Sequence, residues 1–272
     1  PESNNNFTIG VPAPLPKHIA AISAEAARQS ELRRNHSYPP FLGNDRLLEQ
    51  IINLEQAKKT GITTEDRPRI GLTIGASAGL AYSFSLLGPG INILVPSPAW
   101  GTAYNFIADS GNVGIPTNVF SEEGEFNRAE TESQVERYTP RAIYINLLNN
   151  PDPVLPTETG FQGFLAFLED TGLVVVSDDP YIFTMFDPEN ISRYSVLNSP
   201  EEVRNRTIKV GSFSKITKPG DRLGYVVLGE ELADRLGENW KVRLRDYGAG
   251  VPETTQAAVS AILEEDPDLD FL

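Results

Sequence analysis

The sequence has no cysteine among its 272 residues, and this absence removes disulfide bonds, thiolate nucleophiles and cysteine metal sites together. Histidine is also scarce. The chain contains two, His18 and His36, which are too few to build a typical zinc site on their own. We therefore expect no bound metal ion.

Basic residues and long apolar runs are in short supply as well. Lys and Arg number 23 against 37 Asp and Glu, so the net charge is −14. This charge argues against nucleic acid and against an anionic membrane surface as partners. No apolar run approaches the length of a membrane-spanning helix, and no signal peptide opens the sequence. We therefore predict a cytoplasmic enzyme that binds neither nucleic acid nor membrane.

Short apolar runs alternate with helical patterns from residue 70 onward. Buried strands joined by crossover helices are typical of the α/β class, here a three-layer α/β/α domain around a mainly parallel sheet. In such sheets the ligand binds at the carboxyl ends of the strands. The runs predict strands at 70–74, 91–95, 142–148, 173–177 and 207–211. Helices are predicted at about 17–34, 77–87, 101–110, 128–138, 158–171, 230–247 and 252–264.

Small and polar residues follow the first three of these strands. Ala76 and Ser77 lie in a small-residue turn that suits either a phosphate at a helix N-terminus or close packing alone. Trp100 follows the second strand, where it could stack on a flat ring or cover the core. Asn150 precedes Pro151, which favours an extended backbone, although Asn-Pro is also common in ordinary turns.

An acidic residue comes directly after the fourth strand. A carboxylate at the end of a buried strand is costly unless it has a cationic or hydrogen-bonding partner, so Asp178 is either a functional group or a helix cap. Tyr181, three residues later, could present its hydroxyl to the same place.

The segment SFSKITKPGDR follows the last predicted strand. A lysine surrounded by apolar residues can lose its proton and attack carbonyl groups, which makes Lys215 a candidate nucleophile. Ser212, Ser214 and Arg222 are residue types that bind phosphate, and arginine can do so with two parallel hydrogen bonds. The alternative is a solvated basic loop.

Taken together and in this order, these residues resemble the pyridoxal-phosphate enzymes of the class I/II aminotransferase family, which have the aspartate aminotransferase-like fold type I. The most specific part is Ser-x-Ser-Lys followed by Pro-Gly-x-Arg-Leu-Gly, at residues 212–224. Asp-Asp-Pro-Tyr at 178–181 and Asn-Pro at 150–151 also follow the order of the family. The resemblance covers roughly residues 7–265.

The resemblance implies pyridoxal 5'-phosphate as cofactor and assigns roles around it. Lys215 would form a Schiff base with the cofactor aldehyde and then move the α-proton of the substrate. Asp178 would pair with the protonated pyridine nitrogen and keep the ring electron-withdrawing. Tyr181 and Asn150 would hydrogen-bond the phenolic oxygen, while Trp100 would stack on the ring. The phosphate would be held by Ala76, Ser77, Ser212, Ser214 and Arg222.

Two further residues are implied to act outside this group. Tyr38 resembles a tyrosine that reaches the phosphate from the neighbouring subunit, so the resemblance implies a homodimer. Gly10 resembles the arm segment that lines the substrate pocket, together with Asn150. The implied substrates are an amino acid and a 2-oxo acid.

The resemblance also suggests a domain division and marks two departures from the family. We predict an N-terminal arm and helix at 1–35, a cofactor-binding large domain at 36–265, and the start of an otherwise missing small domain at 266–272. Residues 150–153 read Asn-Pro-Asp-Pro instead of the usual Asn-Pro-Thr-Gly, and no arginine follows Arg245 to clamp a substrate carboxylate. Transamination is the predicted reaction. Elimination, cyclisation or oxidation of an amino acid, or cofactor binding without turnover, remain alternatives.

Overall fold

The structure is a computed structural model that describes residues 12–32, 38–152, 154–185, 189–248 and 250–272. Within these ranges the chain forms a seven-stranded sheet with helices on both faces. The strands are β1 (Ile70–Ile74), β2 (Asn92–Pro96), β3 (Val113–Thr117), β4 (Ala142–Ile145), β5 (Val174–Asp179), β6 (Thr207–Ser212) and β7 (Leu223–Leu228). The helices are α1 (Lys17–Leu32), α2 (Asp45–Ala57), α3 (Gly75–Leu86), α4 (Gly101–Asp109), α5 (Arg128–Tyr138), α6 (Glu158–Thr171), α7 (Glu189–Arg193), α8 (Glu201–Arg204), α9 (Glu230–Leu236), α10 (Asn239–Gly248) and α11 (Glu253–Glu265).

The strand order across the sheet is β1-β7-β6-β5-β4-β2-β3. Strands β3, β2, β4, β5 and β6 pair in parallel, whereas β7 is antiparallel to both β6 and β1. Because β1 and β6 are both antiparallel to β7, they run in the same direction. All described strands except β7 therefore end at the same edge of the sheet, and β7 begins there. This arrangement confirms the predicted mainly parallel sheet.

Apolar side chains fill the space on both faces of the sheet, which confirms the three-layer α/β/α architecture. One face packs against α3, α4 and α10 through residues such as Tyr82, Phe84 and Trp240. The other face packs against α1, α2 and α11 at the β1–β7 side, and against α6 at the β4–β5 side. Strands buried on both faces need continuous apolar sequence, and all four residues of β4 are buried. None of the helices in the described ranges is long and apolar enough to cross a bilayer.

Strand β3 and the helix predicted at 230–247 are two of the elements that differ from the sequence prediction. Strand β3 was not predicted, because its sequence contains Gly114 and Pro116 and exposes Val113. Proline lacks the backbone donor of a central strand, and β3 tolerates it because it pairs with β2 alone, at the edge of the sheet. The helix predicted at 230–247 is divided into α9 and α10 at Gly237, where φ is 54° and ψ is −146°.

The close approach of α3 to the sheet generates a testable prediction. A Cβ atom on Gly79 would lie 2.8 Å from Val210 Cγ1 and 3.2 Å from Val226 Cγ1. We expect Gly79→Ala to lower the free energy of unfolding by roughly 1–3 kcal/mol, because overpacking outweighs the better helix propensity of alanine. Chemical denaturation measures this change.

Gly163 in α6 provides the matched control. It is also a helical glycine, but its Cβ would meet Phe126 Cδ1 at an ordinary distance of 3.5 Å. Gly163→Ala should therefore raise the free energy of unfolding by about 0.5–1 kcal/mol. Equal effects of the two substitutions would contradict the packing of α3 described above.

Candidate active site

The loops at the common edge of the sheet enclose a cavity of about 300 Å³. Ten residues singled out from the sequence line it, so the structure brings together side chains that follow five different strands and one that precedes β7. Asn146 and Pro180 also line this cavity and were not predicted. The complete lining is Ala76, Ser77, Trp100, Asn146, Asn150, Asp178, Pro180, Tyr181, Ser212, Ser214, Lys215 and Arg222.

Another cavity, of about 370 Å³, lies between α1, α2 and α11. It is larger, but two of its charged residues, Arg46 and Glu264, are paired with each other at 2.5 Å. It does not combine a buried acid, a shielded lysine and a group of anion-binding side chains. The cavity at the strand ends is therefore the candidate active site.

Asp178 is the most deeply buried acid of this cavity. It is 3 % exposed, and its Oδ2 atom accepts a hydrogen bond of 2.8 Å from the Tyr144 hydroxyl. The Nδ2 atom of Asn146 lies 3.5 Å from the same oxygen. Among the described residues, no side chain or backbone group donates to Oδ1. A buried carboxylate with one oxygen left for a further donor suits a cationic N–H group.

The environment of Asp178 also changes its acidity. Burial raises its pKa to about 7, and the charge of Asp179 acts in the same direction. The hydrogen bond from Tyr144 partly offsets this rise in pKa, because it stabilises the ionised form. A cation bound against Asp178 would lower its pKa and keep it charged at neutral pH.

Sequence reasoning missed the two partners of Asp178. Tyr144 pairs with Val176 across β4 and β5, so it lies on the same sheet face as Asp178, two residues farther along β5. The run predicted as a strand at 142–148 ends at Ile145, and Asn146 therefore opens the following loop. The available signal was a tyrosine and an asparagine inside an otherwise apolar run.

Lys215 lies close to Tyr181 in the cavity. Its Nζ atom is 5.4 Å from the centroid of the Tyr181 ring, and the lysine side chain is partly buried. Burial lowers the pKa of Lys215, so more of the neutral amine is present at a given pH. The neutral amine is the form that attacks carbonyl carbons.

The phenol of Tyr181 is held between two other predicted residues. Burial raises its pKa first, and the charge of Asp178 adds to that rise. A side-chain hydrogen bond with Asn150 lowers the same pKa in part. Asn150 itself is followed by a cis peptide bond to Pro151. The acidity of the Tyr181 phenol therefore depends on both Asn150 and Asp178.

Arg222 reaches the beginning of α3 from the start of β7. Its backbone is left-handed, with φ 54° and ψ 40°, after the turn at 219–221. A Cβ atom on Gly75 would lie 2.5 Å from Nη2 of Arg222. Gly75 also has a φ of +71°, so glycine is required there both for its backbone conformation and for the room it leaves.

The groups around Arg222 are suited to an anion. Ala76 and Ser77 lie in the first turn of α3, where backbone N–H groups have no partner within the helix. Ser212 ends β6, and its Oγ atom accepts a 3.1 Å hydrogen bond from the backbone N–H of Ser214. A guanidinium, hydroxyl groups and a helix N-terminus at one place form a typical phosphate-binding arrangement.

Trp100 both covers the core and faces the cavity, the two alternatives that the sequence left open. It is the N-cap residue of α4 and packs against the core beneath α3 and α4, with its ring 6.1 Å from that of Phe106 at 64°. It also lines the cavity. The indole therefore covers part of the core and presents aromatic surface to a ligand.

One predicted site residue among those that the structure describes, Tyr38, is not brought to the cavity. Tyr38 is 82 % exposed and does not belong to the cavity lining. Gly10 lies outside the described residues.

Comparison with known proteins identifies the family. The chain matches the family of class I and II aminotransferases over residues 5–271, and it belongs to that family. Members of the family depend on pyridoxal phosphate. This finding confirms the resemblance inferred from the motifs and the cofactor that it implied.

Individual relatives agree with this assignment. The chain is 28% identical to aromatic-amino-acid aminotransferase 2 of Thermococcus litoralis, over 95% of this chain and 65% of that protein. It is 29% identical to a probable aspartate/prephenate aminotransferase of Aquifex aeolicus, over 80% and 54% of the two chains. The aromatic aminotransferase structure from Pyrococcus horikoshii superposes with a TM-score of 0.78 at 25% identity, over 95% and 66%. The chain therefore spans about two thirds or less of the length of these relatives.

The residues of the cavity fit pyridoxal phosphate. The accepting capacity of Asp178 Oδ1 matches a protonated ring nitrogen, and the groups around Arg222 match a phosphate. The amine of Lys215 matches an aldehyde. A cavity of about 300 Å³ is within the usual size of small-molecule sites.

The raised pKa of Asp178 predicts how stability depends on pH. With a folded pKa of about 7 and an unfolded value near 3.9, the folded cofactor-free protein retains a proton between pH 4 and 7 that the unfolded chain has lost. The contribution of Asp178 to the free energy of unfolding therefore decreases as pH rises through this window. Asparagine does not titrate. The free energy of unfolding of Asp178→Asn, relative to that of the unaltered protein, should thus rise by on the order of 2–4 kcal/mol between pH 4 and pH 8.

Denaturant titrations of the cofactor-free proteins at several pH values measure this difference. Asp109→Asn, at an exposed position, controls for the loss of a surface charge. The raised pKa of Asp179, about 6, contributes to the pH dependence of both proteins. A difference between Asp178→Asn and the unaltered protein that stays constant with pH would contradict the prediction.

Proposed function

We propose that this chain carries the active site of a pyridoxal-phosphate-dependent aminotransferase, which transfers the amino group of an amino acid to a 2-oxo acid. The observation that supports this most directly is the meeting of Lys215, Asp178 and Arg222 in one cavity. When bound, the cofactor supplies an aldehyde that captures amines and a ring that withdraws electrons from the substrate α-carbon.

Lys215 is the proposed covalent anchor and proton carrier. Its Nζ atom would hold the cofactor through the aldehyde, and the same amine, in the cavity, would accept and return the proton at the substrate α-carbon. The lowered pKa of the lysine supports both roles, because each requires a neutral amine.

Asp178 and its neighbours are proposed to control the charge on the cofactor ring. Asp178 would keep the pyridine nitrogen protonated, and Tyr144 holds the carboxylate in place through its 2.8 Å hydrogen bond. Tyr181 and Asn150 would hold the phenolic oxygen, and Trp100 would lie against the ring. The phosphate would be held by Arg222 and the groups near it, namely Ala76, Ser77, Ser212 and Ser214.

A different reaction on the same cofactor is the second candidate. Residues 150–153 depart from the usual family loop, and Asp152 Oδ1 accepts a hydrogen bond from the Val154 backbone N–H at 3.3 Å. An altered loop next to Asn150 changes the wall on which substrate orientation depends, which favours elimination, cyclisation or oxidation as alternatives. The names of the relatives favour transamination. The division at residues 35 and 265, and the substrate contact of Gly10, remain predictions.

Two experiments test the function. Borohydride reduction of the loaded protein should fix the cofactor covalently on Lys215, as located by peptide mass spectrometry. The protein is then incubated with a panel of amino acids, with and without 2-oxo acids. Transamination yields a new amino acid only when a 2-oxo acid is present, whereas elimination or oxidation releases ammonia without one.

Lys218→Met is the matched control for Lys215→Met. Lys218 is partly buried three residues farther on, with its Nζ atom 3.4 Å from Ser23 Oγ, and it does not line the cavity. Lys215→Met should abolish both trapping and turnover, and Lys218→Met should preserve both. Trapping on another lysine would overturn the site, and acceptor-independent ammonia release would overturn transamination.

We also propose that the working unit is a cytoplasmic homodimer. Tyr38 is exposed in the single chain and precedes Phe41, which is 51 % exposed. An exposed tyrosine beside an exposed phenylalanine suits a surface covered by a second copy, from which Tyr38 would reach the phosphate of its partner.

This proposal predicts that cofactor affinity depends on association. Sedimentation should show a dimer, and Tyr38→Phe should weaken pyridoxal phosphate binding by about 10- to 100-fold if the hydroxyl bonds the phosphate. Tyr247→Phe, at another exposed tyrosine, is the control. Full cofactor affinity in a monomer would refute the proposed role of Tyr38.

A further inference from the structure

A second group of buried polar side chains lies on the sheet face opposite to Asp178. Lys209 Nζ and Glu55 Oε2 are 2.7 Å apart, and both side chains are fully buried. The Tyr225 hydroxyl donates to the other carboxylate oxygen, Glu55 Oε1. Asp179 accepts a 3.0 Å hydrogen bond from Ser177 Oγ. These five residues are called the Glu55 cluster below.

The register of the sheet places the cluster directly behind the active site. Asp178 and Asp179 are consecutive in β5, so their side chains lie on opposite faces. Ser177 pairs with Lys209 in β6, which puts Lys209 on the same face as Asp179. Gly211, two residues later in β6, pairs with Tyr225 in β7 and lies on that face too. The cluster therefore joins β5 and β6, which end near Asp178 and Ser212, with β7, which begins just after Arg222.

The ring of Tyr225 packs closely against Gly211 of β6. A Cβ atom on Gly211 would lie 2.1 Å from Tyr225 Cζ, so the ring occupies the space that a side chain in β6 would fill. From there its hydroxyl reaches Glu55 in α2, 170 residues away in sequence. One carboxylate in α2 thus binds both β6 and β7.

Stability alone does not account for such a cluster. Removing a lysine and a glutamate from water is costly, and replacing a buried ion pair with apolar residues of similar volume is often neutral or stabilising. What a buried pair provides is sensitivity to position, because a shift of one strand against another leaves a buried charge without its partner. Lys209 also lowers the pKa of Asp179, which opposes the effect of burial on that group.

We propose that Glu55, Lys209 and Tyr225 are positioning residues for the cofactor site. They hold the ends of β5, β6 and β7 in register, and through these strands they fix the distances between Asp178, Ser212 and Arg222. They do not line the cavity and make no contact with it. Their effect is on the fit of the cofactor, beyond any effect on folding.

The test compares cofactor affinity with stability in the 272-residue chain. The double variant Glu55→Leu/Lys209→Met removes both charges together and keeps similar side-chain volumes. We expect its dissociation constant for pyridoxal phosphate, measured by absorbance titration, to rise by about tenfold or more, because small misplacements of site residues have large effects. Its denaturation midpoint should fall no further than that of Arg204→Met, because both charges of the pair are removed together and only the Tyr225 hydroxyl and Asp179 lose a partner.

Arg204→Met is the matched control. Arg204 Nη2 pairs with the buried Asp66 Oδ2 at 2.6 Å, but these residues precede β6 and β1 and lie at the opposite edge of the sheet. This variant should lower the denaturation midpoint and leave the dissociation constant within about twofold of the unaltered value. An equal loss of affinity in Arg204→Met would overturn the proposal, since a general loss of stability would then explain the weaker cofactor binding.

Tyr225→Phe keeps the test decisive if the double variant does not fold. It removes one hydroxyl and leaves the ring beside Gly211 in place. Weaker pyridoxal phosphate binding by about threefold to tenfold, in a folded protein, is the expected result. Unaltered affinity in Tyr225→Phe, or in a folded double variant, would show that the cluster does not position the site.

Discussion

A carboxylate buried at the end of a central strand needs donors or a cation, and the residues that the structure describes give Asp178 a short hydrogen bond at one of its two oxygens. Tyr144 satisfies Oδ2, while Oδ1 keeps its capacity to accept. Burial alone would drive the group toward its neutral form, so the charge of Asp178 depends on what binds in the cavity. The same burial that makes the cofactor-free site costly thus favours a cationic ring nitrogen.

The direction of the strands determines which other groups can meet this carboxylate. Parallel strands deliver their following loops to one edge, and this places the first turn of α3, Trp100 and Asn150 around Asp178. Strand β7 runs the opposite way, so its first residues, rather than its last, lie at that edge. Arg222 is there for this reason, and it meets Gly75 at the beginning of α3.

Ten residues of the candidate site could be singled out from the sequence because their signals are local. A lysine between serines and an acid after a buried strand are visible in short segments, and their order matched a known family. Glu55 and Lys209 were not predicted as partners, because they are 154 residues apart and only the folded sheet brings them together. Strand β3 was missed because its local sequence is not strand-like. An edge strand does not need the continuous apolar sequence that central strands require.

The turn between β6 and β7 contains both the lysine and the arginine proposed to bind the cofactor. Ser212 pairs with Gly224, and the backbone N–H of Phe213 donates to the Leu223 carbonyl, so these strands close on each other at the base of one short loop. The two anchors therefore lie on one loop whose two ends are hydrogen-bonded to each other. Residues 212–224 are therefore the segment to redesign as a unit for a cofactor with a longer bridge between its aldehyde and its phosphate.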